Sequence, residues 1–102
     1  MTNPLFHKHT YAAGEIGVIT FPVSAGRSVQ IGVKDKGTGG VFDVINYLVS
    51  AADDATREQW KSEENMTGEY SETSIGGFVE VGINLKVASD GDVVLEVLEF
   101  VR

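Results

Sequence analysis

Few residues in this chain have the side chains that chemistry requires. His7 and His9 are its only histidines, and at i and i+2 of an extended segment they share one face. Such a pair could hold a metal together with a carboxylate, or titrate as a pH-dependent pair. No third ligand stands at a matching spacing, so an edge-strand pair is the simpler reading and no metal site is assigned.

Gly37-Thr38-Gly39-Gly40 follows a strand-like segment and precedes an apolar segment of helical period. Backbone amides at such a helix start favour an anion, and Lys34 and Lys36 lie close in sequence. The pattern is not a dinucleotide fingerprint, because its third glycine would fall at Phe42, and no P-loop Lys-Ser/Thr follows. The loop is an anion-binding candidate, but a flexible connector in which Thr38 or a glycine caps the next element is the simpler reading.

Trp60 is the single tryptophan and stands on an otherwise polar segment. Either it anchors that segment to the core, or it lines a pocket with Tyr47 and Tyr70. The acids Asp53, Asp54, Glu58, Glu63, Glu64, Glu69 and Glu72 surround it in sequence. An aromatic pocket near carboxylates suits a cationic small molecule. The same acids also read as a docking face for a basic protein partner, or as a solvated surface. Asp90-Gly91-Asp92 resembles a fragment of a calcium loop but lacks the later ligands, and a turn accounts for it.

Enzyme chemistry finds little support. With no cysteine, thiol nucleophiles, zinc–thiolate sites and disulfides are excluded. A Ser-His-Asp arrangement would have to use His7 or His9, and no Gly-x-Ser-x-Gly turn exists. Carboxylates are plentiful but none is distinguished. No catalytic residue and no cofactor is assigned.

The charge balance narrows the partners. Fifteen acidic residues against eight basic ones give a formal charge of −7, which repels phosphate backbones. Lys8, Arg27, Lys34, Lys36, Arg57, Lys61, Lys86 and Arg102 form no stripe in the sequence, so nucleic acid is not an expected partner. No signal peptide and no membrane-length apolar run is visible, so a cytoplasmic protein without a membrane partner is expected.

These residues must be positioned by a small framework. A length of 102 residues suits a single domain over 1–102. Residues 5–12, apolar and aromatic with polar interruptions, the β-rich 15–23, and 28–34, which alternates cleanly, read as strands, the second and third as a hairpin. Val41, Phe42, Ile45, Leu48, Val49 and Ala52 recur at helical spacing, which predicts a helix that breaks near Asp53 and restarts through Glu64. Residues 65–77 read as a loop or a short edge strand. Residues 79–87 and 93–101 alternate around Asp90-Gly91, the pair that favours a type I′ hairpin. A two-residue turn sets Leu85 opposite Glu96; a three-residue turn sets Lys86 there and moves Glu99 to the apolar face. Both registers remain open. The order β-β-β-α(α)-(β)-β-β predicts an α+β fold, one antiparallel sheet of about five strands with helices on one face.

The last strand is apolar on both sides. Val93, Leu95, Val97 and Val101 line one side, and Val94, Leu98 and Phe100 the other. Such a strand needs cover above and below, either from within the chain or from a second copy. The expectation is a non-catalytic interaction protein, homodimeric through Val93, Leu95, Val97 and Val101 of its C-terminal β-hairpin. The alternatives are a small-molecule binding domain around Trp60, and a bacteriophage virion or assembly subunit.

Overall fold

The computed structural model describes residues 5–23, 28–48, 59–74 and 78–100. Within them the chain is all-β. Its strands are β1 (Leu5–Tyr11), β2 (Gly17–Pro22), β3 (Ser28–Asp35), β4 (Val41–Leu48), β5 (Gln59–Met66), β6 (Glu69–Ser74), β7 (Phe78–Val87) and β8 (Val93–Phe100). They form two four-stranded antiparallel sheets, ordered β1-β8-β3-β6 and β2-β7-β4-β5. Successive strands mostly change sheet. This is the wiring of a jelly roll, an eight-stranded sandwich of two Greek keys.

The α+β, single-sheet expectation is therefore corrected. Residues 41–48 and 59–66, read as helical, are β4 and β5; residues 49–58 lie outside the described chain. The helical spacing arose because β4 is an inner strand of its sheet, paired with both β7 and β5. Register shifts around Phe42, Val44 and Ile45 break its alternation, and the neighbours Val44 and Ile45 are both buried. A bulged, well-covered strand carries an apolar run that mimics a helix stripe. Its Val, Ile, Phe and Tyr content is that of a strand.

Both expected hairpins are also absent. β2 pairs with β7, not β3, and β3 lies between β8 and β6. β7 and β8 belong to opposite sheets. A type I′ turn needs positive φ at both central residues, and neither Asp90 nor Gly91 has it. The Asp90-Gly91 corner is instead a crossing between sheets, tied to the β3–β4 loop through Asp90 N–H to the Thr38 carbonyl (3.0 Å).

The core lies between the sheets. Val29, Ile31, Val33, Val93, Leu95, Val97 and Tyr11 come from one sheet, and Phe42, Val44, Val81, Ile83 and Leu85 from the other. Period-2 alternation places them there: in β8 the odd positions face inward while Glu96 between them is exposed. Gly82 of β7 lets the neighbouring strand β2 come close, since a Cβ there would run into Ile19 O and lie 2.6 Å from Thr20 Cα.

Candidate functional site

The outer face of the first sheet carries a shallow groove, and the pairing registers explain its contents. Across β1, β8, β3 and β6, Lys8 stands opposite Glu96, Glu96 opposite Gly32, and Gly32 opposite Ser71. The next row is Thr10, Val94, Lys34 and Glu69; the row on the other side is Phe6, Leu98, Gln30 and Thr73. Gly32 leaves a dent at the centre, because an added Cβ there would meet nothing within 4 Å. The main depression has a volume of about 510 Å³ and is lined by Lys8, Gly32, Lys34, Lys36, Ser71 and Glu96, among others. A smaller one of about 230 Å³ shares Gly32, Ser71 and Glu96 with it and extends to Phe6, Gln30 and Leu98. Lys34 pairs with Glu69 at 3.2 Å, whereas Lys8 and Lys36 form no ion pair among the described residues.

A second feature lies along the sandwich edge. β1 ends the first sheet and β2 ends the second. The two edges lie side by side: the His7 ring stacks on Phe21 (centroids 5.2 Å apart), and the Tyr11 hydroxyl donates to the Gly17 carbonyl (2.9 Å). Burial raises the Tyr11 hydroxyl pKa to about 12, against the Ile19 backbone hydrogen bond and with help from the charge of Glu15. Large apolar side chains exposed among the described residues are Leu5 (46%), Phe6 (57%), Ile16 (60%), Val18 (53%) and Val87 (50%). They fall on β1, on the turn into β2, on β2 itself and on its neighbour β7.

The sequence-derived candidates are distributed as follows. His7 and His9 do share a face, directed toward the sandwich interior. His7 Nε2 lies 2.7 Å from the buried Glu99 carboxylate, and His9 meets Tyr11 edge-on at 4.8 Å. Among the described residues no three potential ligands converge to hold a metal ion. Gly37, Thr38, Gly39 and Gly40 open a strand rather than a helix, and their amides already hold carboxylates of this chain. Asp35 accepts from the N–H groups of Gly37 (2.9 Å) and Gly40 (3.0 Å), and Asp90 from the N–H (2.6 Å) and hydroxyl (2.9 Å) of Thr38. Those two Thr38 bonds hold the Asp90 carboxyl below its usual pKa.

Tyr47 and Trp60 occupy neighbouring strands of the second sheet, Tyr47 opposite Gln59 and Trp60 opposite Asn46. Tyr70 lies on the edge strand of the other sheet, opposite Val33, so the three are not brought to one sheet. Burial, a hydrogen bond to Glu72 and the charges of Glu72 and Glu63 push the Tyr70 hydroxyl pKa up. Val93, Leu95 and Val97 sit in the core at 1%, 0% and 0% exposure, covered by the chain's own second sheet; Val101 lies outside the described residues. On the far side of β8, Val94 is buried, Leu98 and Phe100 are half-buried and Glu96 is exposed. The groove residues Lys8, Gly32, Lys34, Lys36 and Glu96 were not assembled from the sequence. An isolated glycine inside an alternating strand was the one signal available.

No protein-family model matches this chain, and no curated protein matches it. Among solved structures, the Yersinia pseudotuberculosis-derived mitogen superimposes over 100% of this chain and 88% of its own, with a TM-score of 0.50 and 9% identity. A structure described as Bacillus endospore appendages, a family of disulfide-linked pili, covers 97% of this chain and 89% of its own at TM-score 0.39 and 17% identity. The first likeness is one of fold alone; the second superposition is too loose to bear on it.

Proposed function

We propose that this chain is a non-catalytic interaction module that self-associates along the edge formed by β1 and β2. The observation that carries the reading is the composition of that edge. Leu5–Tyr11 and Gly17–Pro22 contain none of the chain's fifteen acidic residues, yet Leu5, Phe6 and Val18 are exposed there, and Ile16 is exposed beside Glu15 in the turn between them. Two copies that each carry −7 repel one another over most of their surfaces. Along this strip the repulsion is least and apolar area is available to bury. Among the described residues both strands end their sheets, the position at which a second strand can add; on β2 the Gly17 carbonyl and the Ile19 backbone already bond Tyr11, so β1 is the strand that would take the added one. The occupant is a second copy of this chain, joined edge to edge about a twofold axis.

Sedimentation velocity across the micromolar range tests this. The parent protein is expected to shift from monomer to dimer with concentration, and Val18→Glu to remain monomeric with an unchanged circular dichroism spectrum. A parent that stays monomeric at high micromolar concentration would overturn the proposal.

The jelly-roll wiring favours a related reading, a virion or assembly subunit of a bacteriophage, since viral capsid domains use this architecture. Fold does not fix function. Regular rings or tubes in electron micrographs of the concentrated protein would support that reading, and unstructured aggregates or dispersed particles would count against it.

A further inference from the structure

We propose that the groove over Gly32 is a binding site for an acidic saccharide. The lining holds Lys8, Lys34 and Lys36 against Glu69 and Glu96, a cationic balance on a molecule whose formal charge is −7. Among the described residues Lys8 and Lys36 carry no ion pair, so their ammonium groups are available to an anionic substituent. A polyanionic strand such as nucleic acid fits poorly, because the two glutamates and the surrounding acidic field oppose a ligand charged along its length.

The remaining lining is that of a site for hydroxyl groups. Glu96 and Glu69 accept, the lysines donate, and the Ser71 hydroxyl and Gln30 amide do both. A polyhydroxylated ring, each of whose hydroxyls can donate and accept, matches that mixture better than an apolar molecule does. At the far end Phe6 and Leu98 supply an apolar surface on which the C–H face of a sugar can lie. The groove spans three rows of side chains, each two residues apart along the strands, or about 13 Å. It therefore takes an elongated ligand with its anionic group at the lysine end. The floor is open because Gly32 has no side chain.

Of the groove residues, only Phe6 and Lys8 also lie on the edge proposed for self-association, both on β1. The test is a chemical-shift titration of the full chain with three probes: 3′-sialyllactose as the singly carboxylated saccharide, lactose 3′-sulfate as the singly sulfated one, and maltotriose as the neutral one. Backbone amide shifts are expected at Gly32, Ser71, Val94 and Glu96 with at least one of the acidic probes, and not with maltotriose. Which acidic probe acts separates carboxylate from sulfate recognition. Lys8→Gln with Lys36→Gln should weaken binding about tenfold or more. Gly32→Val should abolish it by filling the floor while leaving the melting temperature within a few degrees of the parent. Silence with both acidic probes at millimolar concentration, equal response to maltotriose, or shifts centred away from Gly32 would overturn the proposal. Repeating the titration on Val18→Glu distinguishes a failure of this site from a failure of the self-association reading.

Discussion

Two glycine substitutions in different sheets should have opposite effects. At Gly82 of β7 an added methyl would sit 2.6 Å from Thr20 Cα and against the Ile19 carbonyl oxygen. Carbon–carbon contacts are favourable near 3.5–4.0 Å, so β2 would have to withdraw by about 1 Å. The obstacle is backbone, which cannot swing aside as a side-chain tip does. Overpacking of this kind destabilises by about 1–3 kcal/mol. At Gly32 of β3 the same methyl meets nothing within 4 Å, and its φ is not positive. There alanine should be neutral, or stabilise by about 0.4–1 kcal/mol by restricting the unfolded chain. In a domain of this size 1 kcal/mol corresponds to about 4–8 °C in melting temperature. Gly82→Ala is thus expected to lower Tm by roughly 5–20 °C, and Gly32→Ala to leave it unchanged or raise it slightly. Thermal unfolding followed by circular dichroism provides the comparison. Equal melting temperatures for the two variants would refute the close β2–β7 approach.

Three further perturbations probe individual contacts. His7→Ala removes both the partner of the buried Glu99 carboxylate and the ring stacked on Phe21; Glu99 keeps other interactions, so urea unfolding should show a loss of about 1–3 kcal/mol, and a change below about 0.5 kcal/mol would contradict the contact. The folded Tyr11 pKa of about 12 lies above its unfolded value near 10, so its contribution is complete below pH 10 and disappears as pH rises toward 12; Tyr11→Phe should flatten the alkaline limb of the stability curve, and an unchanged limb would contradict this. For Asp43, burial alone would raise the carboxyl pKa, but the Lys86 hydrogen bond, the Asn65 N–H and the charges of Lys86 and Lys61 together bring it below the usual value. Its folded pKa is depressed, so the stabilisation is present above about pH 4 and is lost as pH falls further; Asp43→Asn should be less stable at neutral pH and lose less on acidification, and parallel acid curves would exclude that role.

Local alternation was legible in the sequence, but long-range pairing was not. The alternation read over 28–34 and the β-rich composition of 5–12 and 15–23 fall on the strands Ser28–Asp35, Leu5–Tyr11 and Gly17–Pro22. Val41 to Leu48 misled because a bulged inner strand shows no clean period. Asp90-Gly91 misled for a different reason. A turn-favouring dipeptide reports that the chain reverses, not which sheet receives the next strand, and here Thr38 of a distant loop claims the Asp90 carboxylate. The apolar residues on both sides of β8 call for cover above and below; the chain's second sheet covers Val93, Leu95 and Val97 on the inner side, whereas on the outer side Leu98 and Phe100 are half-buried and Glu96 is exposed. The groove was illegible because Lys8, Gly32, Ser71 and Glu96 are far apart in sequence and meet only through three strand pairings.

All of this depends on β8 lying between β1 and β3, with β7 in the opposite sheet. Interstrand backbone NOEs to Glu96 decide the matter directly. The structure predicts contacts from Glu96 to Lys8 on one side and to Gly32 on the other. Contacts from Glu96 to Leu85 or Lys86 instead would show a C-terminal hairpin and contradict the two-sheet arrangement.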